Sequence, residues 1–190
     1  IVHKVKHNTK RLITSIKWVI FSIVVGIVAG SCGTAFYFAL SVVTDFRMKY
    51  PWLIYFLPIG GLAIVGLYHL CKDDNDTGTN LVISAIHSGD KVPFIMAPLI
   101  FVSTLITHLF GGSAGREGAA LQMGGSIGSS IGRVFRFDEK DKHVMIMCGM
   151  SAAFSALFGT PMAAAIFSME MISVGVMYYI ALVPCVISSL

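Results

Sequence analysis

Charged residues divide this chain into long uncharged intervals. Residues 18–44, 50–71, 92–115, 118–132, 144–169 and 171–190 contain no Asp, Glu, Lys or Arg. A helix that crosses a bilayer needs about 20 apolar residues. Four of these intervals clearly reach that length, and residues 18–44 exceed it, which predicts a long tilted helix. Residues 118–132 fall short. Flanked by glycine-rich sequence, they predict a half-helix that starts within the membrane. Pro161, set between Gly159 and a run of small residues, predicts a break between two helix pieces. Such breaks inside a membrane usually line a cavity or a binding site.

Short polar stretches punctuate the intervals. Residues 45–49 separate the first two, 72–76 and 88–91 read as turns, and residues 133–143 as the longest soluble loop. None has the character of a linker between domains, so residues 1–190 read as a single transmembrane region. The last interval runs to Leu190 without a polar or aromatic anchor, and membrane helices usually finish at one. The expectation is that the chain continues within a larger protein.

Glycine spacing adds a packing signal. Gly26-x-x-x-Gly30, Gly111-x-x-x-Gly115 and Gly124-x-x-x-Gly128-x-x-x-Gly132 would put small residues on one helical face, where two backbones can approach closely. The last of these predicts a helix buried among other helices.

Composition agrees with the pattern: 55% of residues are hydrophobic and only 13% charged, with a mean hydropathy of +0.78. The net charge of +4 comes largely from the N-terminus, where Lys4, Lys6, Lys10, Arg11 and Lys17 precede any acid. A basic segment beside the first span favours the cytoplasmic side, giving an integral membrane protein of the plasma (cytoplasmic) membrane with its N-terminus inside. A nucleic-acid-binding arm is the rival reading, and the adjoining span speaks against it. The first apolar run is too long for a secretory signal and lacks a small-residue cleavage site. Cys32, Cys71, Cys148 and Cys185 are isolated, without metal-ligand spacing, and read as inert packing. No metal and no cofactor are expected. His108 reads as a buried histidine bonded to backbone, with a proton relay as the alternative.

Against this background Arg116 and Glu117 stand out, because each adjoins a long uncharged interval. A charge at membrane depth costs about 2.5–3.5 kcal/mol on insertion scales and is kept mainly where it faces protein or water. Gly115-Arg116-Glu117-Gly118 before an apolar stretch predicts a turn opening a helix. The first amides of a helix lack internal partners and carry the positive end of its dipole, so they bind anions. A glutamate there can occupy that site with its own carboxylate and release it on protonation, which would couple anion occupancy to a proton. The other reading, equally open at this point, is that Glu117 only pairs with Arg116 or caps the helix. Thr77-Gly-Thr-Asn80 offers hydrogen-bond donors at another apparent helix start, where an ordinary N-cap is the simpler reading.

These residues resemble the CLC chloride channels and anion/proton antiporters. Gly115-Arg-Glu-Gly118 is similar to the family's Gly-Arg-Glu-Gly-Pro gating motif, with Ala119 in place of proline, and Leu121-Gln-Met-Gly-Gly-Ser-Ile-Gly128 continues the match. Ala152-Ala-Phe-Ser-Ala and Thr160-Pro-Met-Ala-Ala-Ala-Ile-Phe-Ser-Met-Glu170 look like the paired helices that follow. The resemblance covers nearly the whole chain and is specific over residues 111–171. It implies an all-α fold of polytopic membrane helices with half-helices, like the first half of the CLC inverted repeat, in a protein that works as a homodimer in lipid. It implies that Glu117 is the gating and proton-coupling glutamate, and that Gly78, Thr79, Asn80, Arg116, Gly118 and Ala119 bind a small inorganic anion. Glu170 is similar to the first acid of its helix. Met171 stands where chloride/proton exchangers carry the internal proton-transfer glutamate.

The departures from the chloride members share a direction. The Gly78-Thr-Asn loop lacks the family's serine, Ala119 replaces proline, and Met171 replaces an acid. Together they resemble the fluoride-exporting branch, which implies fluoride/proton antiport. The alternatives are a CLC-type chloride channel or chloride/proton exchanger, which this motif does not tell apart, and a structural membrane subunit without transport. Gly124-Gly-Ser-Ile-Gly-Ser-Ser-Ile-Gly132 is not a nucleotide loop, having neither a preceding strand nor a P-loop lysine. Enzymatic activity and nucleic-acid binding are accordingly not expected.

Overall fold

The structure is a computed structural model that describes residues 2–71, 82, 92–171 and 179–190, with side chains described from residue 16 onward. Its elements are α1 (Val2–Lys49), a 3-10 turn (Pro51–Phe56), α2 (Leu57–Leu70), α3 (Met96–Leu109), α4 (Arg116–Val134), α5 (Glu139–Phe158), α6 (Pro161–Glu170), a second 3-10 turn (Tyr179–Ala181) and α7 (Leu182–Ser189). Among the described residues there is no strand. Ile16–Lys49 and Pro51–Leu70 are long and apolar enough to cross a membrane.

Local chemistry explains most of the boundaries. Pro51 has no N–H to continue α1, so the chain turns there. Gly159 closes α5 in the left-handed region at φ 68, and Pro161 opens α6 in its first turn, giving the predicted break. α4 extends beyond the charge-free interval at both ends, because Arg116, Glu117 and Arg133 join it. At 19 residues it is about 28 Å long at 1.5 Å per residue, close to a full span rather than half of one. The short segments are α6, with 10 residues, and α7, with 8.

Two long-range contacts set the relative directions of the helices. At one end Lys17 Nζ pairs with Asp141 Oδ2 at 2.8 Å and lies 4.4 Å from the centre of the Phe137 ring. Phe21 packs edge-on against Phe135 and Phe137 on the same side. At the opposite end of α1, the Arg47 guanidinium lies against Gly111. Gly111 follows α3, and Asp141 sits in the first turn of α5. α3 and α5 therefore run in the same sense as α1, and α4 runs against them. The start of α4 lies at the Arg47 end, and its last turn lies at the Lys17 end.

The core is the α4–α5 crossing. A Cβ on Gly124, Gly128 or Gly149 would fall under 3.0 Å from main-chain atoms of the facing helix. The repeat on α4 thus works as its pattern predicts at Gly124 and Gly128. At Gly132 an added methyl would meet the Lys142 side chain first, at 3.2 Å, with Lys142 Cα and Met145 Cβ at an ordinary 3.6 Å. The two other repeats behave differently. Gly111 and Gly115 lie in the loop before α4, so that pair packs no helix face. On α1, Gly26 approaches the main chain of Ser188 and Gly33 that of Ala153, while no described atom lies within 4 Å of a Cβ on Gly30. Close approach recurs two turns apart, at Gly26 and Gly33, because α1 touches α7 with one and α5 with the other.

Alanine substitutions separate these roles. Gly30→Ala should raise the thermal midpoint, since alanine gains up to about 1 kcal/mol over glycine inside a helix with nothing to collide against. Gly26→Ala should lower it, because the obstacle is backbone. Unfolding followed by size-exclusion chromatography after heating checks both. Equal shifts of the same sign would contradict the α1–α7 contact.

Candidate functional site at the start of α4

The loop that delivers α4 is built by the end of α3. Gly111 sits at φ 82, and its N–H donates to the His108 carbonyl at 3.1 Å, while the Gly112 N–H donates to the Thr107 carbonyl at 2.8 Å. This pair of bonds satisfies the last carbonyls of α3 and turns the chain sharply. Gly111 is favoured by its left-handed φ, and the Arg47 Nε lies 2.9 Å from where a Cβ would stand. Nothing in the sequence links Arg47 to this loop. Its closeness to Gly111 appears only when α1 is packed against the end of α3.

Gly115 is the N-cap of α4, with φ −69 and ψ 126, and it supplies no side-chain cap. The leading amides of α4 are therefore not satisfied by the residue that usually serves them. Arg116 and Glu117 follow in the first turn, and both side chains are exposed. Glu117 Oε2 lies 3.3 Å from the Cβ position of Gly115, so the carboxylate folds back over the helix start. Among the described residues no ion pair joins it to Arg116. Gly118 is half-buried and Ala119 is 7% exposed. Proceeding along α4, the surroundings thus change within three residues from open to closed. The first main-chain N–H groups of a helix favour a negative charge, and here the Glu117 carboxylate stands beside them.

The structure brings together Arg116, Glu117, Gly118 and Ala119. Gly78, Thr79 and Asn80, the other candidate anion-binding residues, lie outside the described residues, as do the predicted turns at 72–76 and 88–91. His108 Nδ1 lies 2.9 Å from the Thr104 carbonyl, one turn back in α3, the backbone-bonded arrangement expected of it. Glu170 is exposed in the last residue of α6, and Met171 is partly buried against the core. Cys148 and Cys185 are fully buried, and Cys32 and Cys71 partly so.

The far end of α4 carries a different chemistry. Arg133 donates to the Val92 carbonyl at 2.7 Å and to Ser130 Oγ at 3.0 Å. In the first turn of α5, the Lys142 ammonium bonds Glu139 at 2.7 Å and holds that exposed carboxyl below its ordinary range. Charge in the described part of the molecule is thus sorted to the helix ends. The predicted loop at residues 133–143 shrinks to residues 135–138, because Arg133 belongs to the last turn of α4 and Glu139 opens α5, and the charges of both signs gather around these two helix ends.

Known proteins share both this sequence and this architecture. The family model described as voltage gated chloride channel matches residues 60–190. A chloride/fluoride channel protein of Pseudomonas syringae pv. tomato is 42% identical over 175 residues, which is 92% of this chain and 39% of that protein. The H(+)/Cl(-) exchange transporter ClcA of Vibrio campbellii is 27% identical over 172 residues, 83% of this chain and 37% of that protein. The crystal structure of a CLC-type fluoride/proton antiporter superposes with a TM-score of 0.85 at 38% identity, covering 92% of this chain and 44% of the other. The chain therefore spans about two fifths of the length of the curated relatives it matches. The all-α membrane architecture agrees with half of the fold in the solved relatives. By family and by architecture, this is an integral membrane chain that belongs to the voltage gated chloride channel (CLC) family.

Proposed function

We propose that the protein containing this chain moves a small inorganic anion across a membrane in exchange for protons, with fluoride as its substrate. The observation that carries this reading is the Glu117 carboxylate folded over the uncapped start of α4. An anion arriving there competes with Glu117 for the same positive helix end, and protonating Glu117 removes the competitor. One site thereby links anion passage to proton passage, which is transport rather than catalysis. In this reading Glu117 is the gate, and Gly78, Thr79, Asn80, Arg116, Gly118 and Ala119 form the anion path. Fluoride is small and strongly hydrated, so its path has to replace lost water with donors. The hydroxyl of Thr79, the amide of Asn80 and the first N–H groups of α4 are of that kind.

Two further observations support fluoride. Met171 is apolar where chloride exchangers hold an acid. One relative is named a chloride/fluoride channel protein, and one solved relative is a fluoride/proton antiporter. The working unit in this reading is a homodimer in the plasma membrane. Its N-terminus is cytoplasmic because the basic segment precedes Lys17. Since the start of α4 lies at the end opposite Lys17, Glu117 then faces outward.

The test is initial efflux of each anion from liposomes carrying the intact protein, read with ion-selective electrodes at matched gradients. Fluoride efflux should far exceed chloride efflux and should be accompanied by proton uptake. Equal or faster chloride efflux would move the assignment to a chloride channel or chloride/proton exchanger, the second reading that the ClcA relatives favour.

A further inference from the structure

We infer that the groove between α1, α3 and α4 binds an acyl chain of an anionic phospholipid, with Arg133 holding the phosphate. Two cavities, of about 850 Å³ and about 360 Å³, make up this groove. Val28, Phe94 and Ile127 line both, so the two adjoin. Val28, Phe94 and Val102 on its walls are 46%, 60% and 41% exposed, so the groove opens sideways rather than into the core. One wall is α1, which is long and apolar enough to cross a membrane, and most of its apolar stretch is left uncovered by the rest of the described chain. The groove is therefore continuous with the surface that a spanning α1 presents to hydrocarbon.

The groove has a polar end and an apolar end. Arg133 stands at its rim, in the last turn of α4 and so at the Lys17 end of the molecule. Its Nη2 donates to the Val92 carbonyl at 2.7 Å and to Ser130 Oγ at 3.0 Å. These bonds hold the guanidinium in place, and its other nitrogens have no partner among the described residues. A planar guanidinium suits phosphate oxygens. From Ile95 to Val102 the wall formed by α3 runs about 10 Å toward the middle of the membrane at 1.5 Å per residue, and the far cavity holds Cys32, Phe101 and Val102. A phospholipid has the same order, a phosphate at the interface and a hydrocarbon chain beneath it. Charge selects an anionic one. Residues 133–143 hold four basic side chains and three acids, and α1 adds five basic residues before its first acid, Asp45. Basic residues at a membrane surface attract anionic lipid. The orientation proposed above makes this the cytoplasmic leaflet; only the choice of leaflet rests on that reading.

The experiment reconstitutes the intact protein in phosphatidylcholine vesicles that carry a trace of a photoreactive lipid, either phosphatidylglycerol or phosphatidylcholine with a diazirine on one acyl chain. After irradiation, adducts are placed by peptide mass. Leu62 and Val65 on α2, 73% and 66% exposed, report general contact with lipid. The phosphatidylglycerol probe should mark Cys32, Phe101 or Val102 more strongly than these two. The phosphatidylcholine probe should mark the groove about fivefold less, the ratio that about 1 kcal/mol for one basic residue beside an anionic lipid gives. Excess unlabelled phosphatidylglycerol should remove the difference. Arg133→Gln should bring the two probes to equal yield in the groove. Val28→Trp, which adds bulk from an exposed position on the shared wall, should reduce the groove adducts of both. The comparison of probes in the wild-type protein needs no variant and decides the matter if the variants fail to fold. The inference is overturned if both probes mark the wild-type groove equally, or if Arg133→Gln keeps the preference. It is also overturned if Leu62 and Val65 are marked while the groove is not, as when another segment of the protein fills it. No anion flux enters these readings, so they stand or fall separately from fluoride/proton exchange.

Discussion

Glu117→Gln is expected to reduce proton movement to background while leaving anion movement slowed or uncoupled. Glutamine keeps the length and hydrogen-bonding tip of the side chain but is fixed in the neutral state. In the native protein the carboxylate lies over the start of α4. A charge at an exposed helix N-terminus gains about 0.3–1 kcal/mol. That is enough to bias occupancy and small enough for an incoming anion to displace it. Without a carboxylate the anion meets no charged competitor, and no proton is exchanged for it. The measurement records fluoride and proton fluxes together, in liposomes carrying the intact protein. If the variant exchanged protons for fluoride at the native ratio, Glu117 would not be the coupling group. Arg116→Gln should affect anion flux while sparing the proton ratio, because it changes local potential without removing the titrating group.

Gly128→Leu is expected to abolish the folded, monodisperse protein. Any Cβ at this position falls on the Met145 carbonyl and close to the Ile146 Cα. Both are main-chain atoms of α5, and α5 has no room to retreat, because Gly124 and Gly149 meet just as closely in the neighbouring turn. Extra bulk in a packed core typically costs about 1–3 kcal/mol even where side chains can move. Here backbone would have to move, so the loss should exceed that range. Expression yield, size-exclusion profile and thermal midpoint report the effect. Gly132→Ala is the internal control, since its obstacle is the flexible Lys142 side chain at 3.2 Å. It should behave nearly as wild type. A Gly128→Leu protein with native yield and midpoint would mean that α4 and α5 do not cross at this point.

The two experiments probe different parts of one helix. The first turn of α4 carries the exposed chemistry, and its next turns carry the packing. A defect in Gly128 would reach Glu117 only through loss of the fold, whereas a defect in Glu117 should leave the thermal midpoint nearly unchanged. Measuring flux and stability on both variants therefore separates the gate from its support.

Much of this protein is written in local sequence. Pro51 and Pro161 stop and start helices through a missing N–H, and Gly159 closes α5 through a left-handed φ. Gly115-Arg116-Glu117-Gly118 announces a helix start before any neighbour is known, because glycine leaves the leading amides uncapped and Glu117 stands where the dipole is positive. What the chain could not announce is which of its similar-looking positions are used. Gly26 and Gly30 look alike in sequence, yet one meets the backbone of Ser188 and the other meets no described atom. Gly111 and Gly115 share the same spacing and pack no helix. Arg47 beside Gly111 and Lys17 beside Asp141 join residues far apart in the chain. Helix ends marked by a proline or a left-handed glycine depend on the torsions and hydrogen bonds of a few consecutive residues, so the sequence shows those, whereas charge alone misplaced both ends of α4. Which faces touch depends on how whole helices cross, and that is decided only when all of them pack at once.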